Sequence, residues 1–354
     1  MKGLLLSAYA AVSHQHWAQG ICRHVDAIDW QLLELPPRHF SWRIRGNPLT
    51  WTLDASDVLE RHYDVILATS MVDLATLVGL HPHLGRARKI VYFHENQFAY
   101  PLSAERKSEV EAQMVNLYSA LAADQVVFNT TYNRDSFLGG VRRFLKRMPE
   151  KVRIGATLDR LARDACVVPV PIEPLNEAMP PKRGRRIVWN HRWEYDKNPD
   201  DFFQALHGLK TRGIDFEVAV MGQRFRQQPE IFEAAHAWLK GHLLCWGPQP
   251  GATYREILEG ADIVVSTTFH EFQGLSIMEA AQRGCLPLVP DRLCFPELYP
   301  REYRYDGTRH DLEVHLERWL TYPDARPAPL DTRAWEWPHL RDVYCRLLMG
   351  SDNI

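Results

Sequence analysis

Arg192 and Lys197 put two cations into one short stretch, Asn190-His-Arg-Trp-Glu-Tyr-Asp-Lys-Asn198, just ahead of a segment of helical period. Two cations on one loop at a helix start suit a diphosphate, which needs charge compensation and several donors at once. A solvated pair of loop cations is the plain alternative, and spacing alone does not separate the two. A second stretch is His270-Glu-Phe-Gln-Gly-Leu-Ser-Ile-Met-Glu279. Here Gly274, Leu275 and Ser276 open a predicted helix whose first N–H groups and dipole can face an anion. Glu271 precedes that helix and Glu279 lies within it. A carboxylate near a phosphate is repelled by it, so both fit better as acceptors from sugar hydroxyls. Against that, Glu279 has the ordinary i±3/4 neighbours of a surface helix residue. In a third stretch, Val91-Tyr-Phe-His-Glu-Asn-Gln-Phe-Ala-Tyr-Pro101, a strand is followed by the polar cluster His94, Glu95, Asn96 and Gln97. Loops seldom need such a cluster for stability, although a lone histidine is more often a structural hydrogen-bonder. Neither His94-Glu95 nor His270-Glu271 has a histidine at the spacing of a zincin, so metalloprotease chemistry is excluded.

The elements that must position these residues are short apolar, β-branched runs alternating with helical periods, as in α/β proteins with parallel sheets. Strands are predicted at Lys2–Ser7, Trp30–Leu35, Tyr63–Ala68, Lys89–His94, Gln125–Asn129 and Cys166–Pro169. Helices are predicted at Val72–Gly79, Ala104–Ala123 and Tyr132–Met148. The stretch from Pro169 to Pro181 holds five prolines and little periodicity, as a linker does. A second series follows, with strands at Arg186–Asn190, Phe216–Met221, Leu243–Trp246, Asp262–Ser266 and Leu286–Val289. Its helices fall near Asp200–Arg212, Glu230–Gly241, Tyr254–Gly260 and Leu275–Gly284. The expected organisation is therefore two Rossmann-like domains facing across a cleft, residues 1–172 and 173–334. A helix in residues 335–354 could join either one. In such sheets ligands bind beyond the carboxyl ends of strands, where all three stretches lie.

Length agrees, since 354 residues make roughly two domains of about 100–200 residues. With 45% hydrophobic and 24% charged residues the chain has a globular composition, which excludes a disordered or collagenous protein. Cys22, Cys166, Cys245, Cys285, Cys294 and Cys345 are scattered without a C-x-x-C pair, so neither a zinc knuckle nor a disulfide framework is expected, and a reducing cytoplasm fits best. No run of about 18 apolar residues occurs. Met1–Ala8 reads as a buried strand rather than a signal peptide.

A Glu, seven residues and a second Glu, with Gly-Leu-Ser between them and an Arg…Lys pair about eighty residues earlier, resembles the retaining GT-B glycosyltransferases of family 4. The resemblance implies a metal-independent enzyme whose second domain holds a nucleotide sugar. By matching position, Arg192 and Lys197 would hold the diphosphate, Glu271 the hexose, Glu279 the ribose, and the Gly274–Ser276 amides the phosphate or sugar. The phrase FHENQFAYP, with SHQHW near the start and Phe128-Asn-Thr-Thr-Tyr-Asn133, looks like the tRNA-queuosine α-mannosyltransferase subgroup. That implies GDP-mannose as donor and the cyclopentene ring of queuosine in a tRNA anticodon as acceptor, with His94 positioning sugar or acceptor. Many family 4 enzymes carry a Gly-Gly pair in the first loop, whereas this chain reads Ala11-Val-Ser-His-Gln-His-Trp17. Ser13, His14 and His16 are therefore expected to contact donor or acceptor by side chain, together with Glu95 and Asn96.

Net charge is −2, yet residues 142–164 hold eight Lys/Arg against three acids, and Lys182, Arg183, Arg185 and Arg186 follow. Arg142, Arg143, Lys146 and Arg147 could track an RNA backbone. Aromatics interleave with cations in Arg38-His-Phe-Ser-Trp-Arg-Ile-Arg45, with Trp51 beyond, as base-stacking platforms require. Two other readings compete at 137–148. Phe137, Val141 and Phe144 at helical spacing could insert into an anionic membrane, or the helix could turn an apolar face to the core and a basic face to solvent. Three functions stay open: a queuosine mannosyltransferase, a family 4 enzyme with a lipid or polysaccharide acceptor, and a non-catalytic tRNA-binding protein. Stable membrane association is not expected.

Overall fold

The computed structural model describes residues 1–100, 110–149, 154–175, 179, 182, 184–224 and 228–350. The chain forms two compact units, Met1–Pro171 with Trp335–Ile354, and Ile172–Ala334.

The first unit begins β1 (Lys2–Ser7), α1 (Val12–His24), β2 (Asp29–Glu34), α2 (Phe40–Asp54), α3 (Ser56–Leu59), β3 (Val65–Thr69) and α4 (Leu74–Leu80). It continues β4 (Arg88–Phe93), α5 (Val110–Ala122), β5 (Gln125–Phe128), α6 (Thr131–Leu145), α7 (Gly155–Asp164) and β6 (Cys166–Val167). Its six strands are parallel in the order β2-β1-β3-β4-β5-β6. Strands covered on both faces must be apolar at every position. Accordingly Leu4–Leu6, Val65–Ala68 and Ile90–Phe93 are all buried. On one face Ile44 and Trp51 of α2, Leu74 and Leu77 of α4, Val115 of α5, Phe137 and Val141 of α6 and Leu158 of α7 share a single apolar core.

The second unit comprises β7 (Arg186–Trp189), α8 (Pro199–Thr211), β8 (Glu217–Val220), α9 (Ile231–Leu239), β9 (Leu243–Trp246) and α10 (Gly251–Gly260). After these come β10 (Ile263–Val265), α11 (Leu275–Gln282), β11 (Leu286–Pro290), α12 (Phe295–Leu298), β12 (Arg304–Tyr305) and α13 (Arg309–Thr321). Here too all strands are parallel, in the order β12-β11-β10-β7-β8-β9. In each sheet the chain starts in the interior, moves to one edge and then reverses. The reversal falls between β1 and β3 in the first and between β7 and β10 in the second, the switch points where open α/β sheets leave a crevice for ligands.

The last helix, α14 (Trp337–Met349), packs in the first unit. Tyr344 carries the joint: its hydroxyl accepts from Trp17 Nε1 at 3.1 Å and donates to the Pro169 carbonyl at 2.9 Å. Trp337 stacks on His24, and it lies against Gly20, where a Cβ would come within 2.6 Å of the indole. Several elements differ from the expectation. Residues 11–17 are not a loop, because α1 starts at Val12. α2 carries Pro48 in its interior and had no clear helical signal, α7 stood only as a basic stretch, and the two-residue β12 is too short for a pattern. Of the expected Ala104–Ala123 helix, residues 104–109 lie outside the described residues.

Candidate active site

The loop after β7 and the loop after β10 leave adjacent strands at the switch point of the second sheet, which brings Lys197 to Glu271. Lys197 Nζ donates to the His270 carbonyl at 2.7 Å and to Glu271 Oε2 at 3.3 Å, and lies 3.4 Å from Asp196 Oδ2. The ammonium is buried. A charge at that depth must be paired. Burial opposes its charge, but Glu271 and Asp196 outweigh this and hold Lys197 above the ordinary lysine range. The reciprocal balance acts on Glu271. Burial alone would raise its carboxyl, yet Lys197, His191 and His270 bring it down to about 2. Arg192 stands at the edge of the same group with its side chain 44% exposed and its guanidinium 3.0 Å from Glu194.

Gly222, after β8, fixes the Arg192 loop: with φ at +114° its position takes no side chain, since a Cβ would lie 1.9 Å from the His191 carbonyl oxygen. Trp193 N–H then donates to the Gln223 carbonyl at 3.0 Å. On the other side Asn190 Nδ2 donates to Tyr254 Oη and to the Ser276 carbonyl, both at 2.9 Å, which ties the β7 end to the start of α11. Gly274 opens α11 in the left-handed region, φ +80°. The N–H groups of Leu275 and Ser276 therefore have no acceptor within the helix. Glu279 is half-buried one turn further on, and its charge acts on the Tyr254 phenol.

In the first unit β1 and β4 deliver two histidines to one place. His14, in the first turn of α1, and His94, just after β4, are buried with ring centroids 4.3 Å apart, and Trp17 and Tyr92 close the other sides of His94. No nitrogen of either ring has a hydrogen-bond partner among the described residues. Ser7 Oγ at the end of β1, Ser70 Oγ after β3 and Gln97 Oε1 after β4 are likewise buried and unpartnered. Buried polar groups left unpaired cost about 1–3 kcal/mol each, so a cluster of them at the carboxyl ends of three strands is a place where ordered water or the hydroxyls of a ligand can supply the missing partners.

Several expected site residues are placed differently. Asn96 has no capacity left for a substrate: its Nδ2 donates to Asn133 and Ser136, and its Oδ1 accepts from the Phe98 and Ala99 amides. It shapes the loop instead. Ser13 is exposed and His16 half-buried, both on the opening turns of a helix, and Glu95 is half-buried beside His94. Arg142 and Arg143 are exposed in the last turn of α6, and Lys146 and Arg147 in the turn just after it, while Phe137, Val141 and Phe144 are buried. That burial overturns the membrane-inserting reading of 137–148, which needs those side chains outside. Lys151, Arg153 and Arg183 lie outside the described residues. The rest of the 182–186 run is not a free basic surface, because Lys182 holds the Leu258 carbonyl, Arg185 pairs with Asp215 and Arg186 with Glu217. Trp51 is in the core and cannot stack on a base. Conversely Asp196, His191, Tyr254 and Gly222 were not singled out, although the first two stand inside the quoted Asn190–Asn198 stretch. Among the described residues no group of three or more His, Cys, Asp or Glu could hold a metal ion, and no helix is long and apolar enough to cross a membrane.

Burial also sets the histidines. It brings His14 down to about 4, and, with Lys197 adding to it, His191 and His270 to about 4, while burial and then His14 hold His94 well below 6.5. Between pH 6.5 and about 4 the unfolded chain therefore binds protons that the native state refuses. Stability should be full above pH 6.5 and fall with pH through that window by roughly 1 kcal/mol per pH unit for each such histidine. A His14→Gln/His94→Gln variant should show a shallower fall in urea titrations, and an unchanged slope would contradict the neutral buried pair.

Two parallel six-stranded sheets with these strand-end residues are the architecture of GT-B glycosyltransferases. Sucrose-phosphate synthase of Thermosynechococcus elongatus matches at a TM-score of 0.71 with 12% identity over 99% of each chain, and Anabaena HepE in complex with UDP-glucose at 0.69 with 12% identity over 99% of this chain and 100% of that one. Residues 176–303 match the group 1 glycosyl transferases, and residues 2–172 the N-terminal region of tRNA-queuosine alpha-mannosyltransferase. The tRNA-queuosine alpha-mannosyltransferase of Drosophila melanogaster is 33% identical over 337 residues, 90% of this chain and 87% of that protein. The chain belongs to the tRNA-queuosine alpha-mannosyltransferase family, and it is a glycosyltransferase.

Proposed function

We propose that the protein transfers mannose from GDP-mannose to queuosine in a tRNA anticodon, in the cytoplasm, with retention at the sugar carbon and without a metal. The observation that carries this reading is the 33% identity across both units, including the family-specific region at residues 2–172. The site supplies the chemistry. As the bond from the sugar carbon to the phosphate oxygen breaks, charge grows on the diphosphate, and Arg192, Lys197 and the Leu275 and Ser276 amides stabilise it. The acceptor hydroxyl forms the new bond on the same face and its proton passes to the departing phosphate oxygen, so no protein nucleophile takes part. Glu271 accepts from hexose hydroxyls and Glu279 from the ribose. His14 and His94, uncharged at neutral pH, hydrogen-bond hydroxyls of sugar or acceptor. The exposed cations at and just beyond the C-terminal end of α6, Arg142, Arg143, Lys146 and Arg147, supply backbone contacts to tRNA, the contribution that makes affinity fall with salt. Incubating the protein with queuosine-containing tRNA and a panel of nucleotide sugars, followed by nucleoside mass spectrometry, should show one hexose added with GDP-mannose alone. Addition from UDP-sugars only, or no addition to queuosine, would defeat the reading.

A further inference from the structure

The β2–α2 connection carries an aromatic side chain that neither core nor catalysis uses. Trp42, in the first turn of α2, is 81% exposed. Two loops at the carboxyl end of the first sheet hold that turn in place. Phe40 packs edge-on against Tyr9 of the β1–α1 loop at 6.1 Å, Arg45 pairs with Asp73 after β3 at 2.5 Å, and Asn47 bonds both Met71 and Asp73. The indole is thus presented rigidly at the rim of the strand ends that carry His14 and His94. Its own segment carries charge of one sign. From Leu35 to Leu53 there are Arg38, His39, Arg43 and Arg45 and no acid, and Arg38 and His39 are exposed.

We propose that Trp42, flanked by Arg38 and Arg43, is a stacking platform for a single-stranded RNA base next to the nucleoside that receives the sugar. The proposal rests on tRNA being the acceptor. Every base offers a π-face to a tryptophan, and cations beside the ring take the adjoining phosphates. A lipid surface is the competing occupant, because Leu49 and Leu53, also exposed, continue the stripe from Trp42 along α2. Its far end argues against an anionic membrane: Asp54, Asp57 and Glu60 are exposed around Leu53 and would repel acidic headgroups. Arg61 pairs with Asp57 there, yet three acids against that one cation leave this end negative, whereas the Trp42 end is cationic.

The test uses the full chain and an anticodon stem-loop RNA carrying queuosine. Trp42→Ala should weaken RNA binding roughly 10-fold with the salt dependence unchanged, while Trp42→Phe keeps most of the affinity. Arg38→Ala with Arg43→Ala should instead reduce the log–log salt slope by about 0.7 per lost phosphate contact. Calorimetry with GDP should be the same for all four proteins, and Leu49→Gln with Leu53→Gln should bind RNA as the unaltered chain does. Undiminished RNA binding by Trp42→Ala overturns the platform alone. Absence of RNA binding by the unaltered protein overturns the acceptor reading and the platform with it. Sedimentation with phosphatidylserine-containing vesicles that is lost in the Leu49→Gln/Leu53→Gln variant transfers the face to a membrane and also overturns the proposal.

Discussion

Lys197→Ala should lower turnover by about 10²-fold or more and lower the melting temperature as well, whereas Arg192→Ala should lose similar turnover with the melting temperature unchanged. Under the proposed binding mode the two cations serve the same leaving group from different environments. Lys197 is buried between Asp196 and Glu271, so its removal leaves two carboxylates unpaired at depth, and breaking a buried pair costs about 3–5 kcal/mol. Arg192 is 44% exposed and its pair with Glu194 lies near the surface, so the fold depends little on it. Single-turnover rates beside thermal melts separate the effects. Near-normal turnover in Arg192→Ala with the fold intact would remove the diphosphate from this loop.

Glu271→Gln should abolish transfer while leaving GDP affinity nearly unchanged, and Glu279→Gln should weaken GDP itself. Glu271 faces Lys197 and the His270 turn, ahead of α11, where a hexose beyond the diphosphate would lie under the proposed binding mode. Glu279 sits one turn into α11, beside the Tyr254 and Asn190 contacts. Because the Glu271 carboxyl titrates near 2, its pairing with Lys197 persists down from neutral pH and is lost only as pH falls through about 2. Any activity change between pH 5 and 9 therefore belongs to another group. Equal loss of GDP affinity in both variants, measured by calorimetry, would defeat the division of labour.

The strand-end loops of the candidate site were legible because strand ends are legible. A buried parallel strand is apolar throughout, so the polar residue that follows it announces a loop at the ligand-binding end, as at Asn190, Ser266 and His94. Asp196 was not legible as a partner, since its role depends on Lys197 meeting Glu271 across 74 positions of sequence. Asn96 misled for the converse reason. Its polarity looked available, and only the folded loop shows every hydrogen-bonding atom of its side chain already engaged.

The sequence by itself determined the α/β class, the two strand-helix series and the placing of Arg192, Lys197, Glu271 and Gly274 at strand ends, because periodicity and apolar runs are local properties. Tertiary structure alone decided three further matters. It assigned α14 to the first unit, through a Trp17–Tyr344 bond spanning 327 positions that no local pattern records. It buried the apolar face of α6 and left the four cations outside. Finally it separated Trp42 from Trp51. Nine residues at 100° each put the two indoles on opposite faces of α2, so one is 81% exposed and the other 2%, and composition cannot say which until the helix and the core it faces both exist.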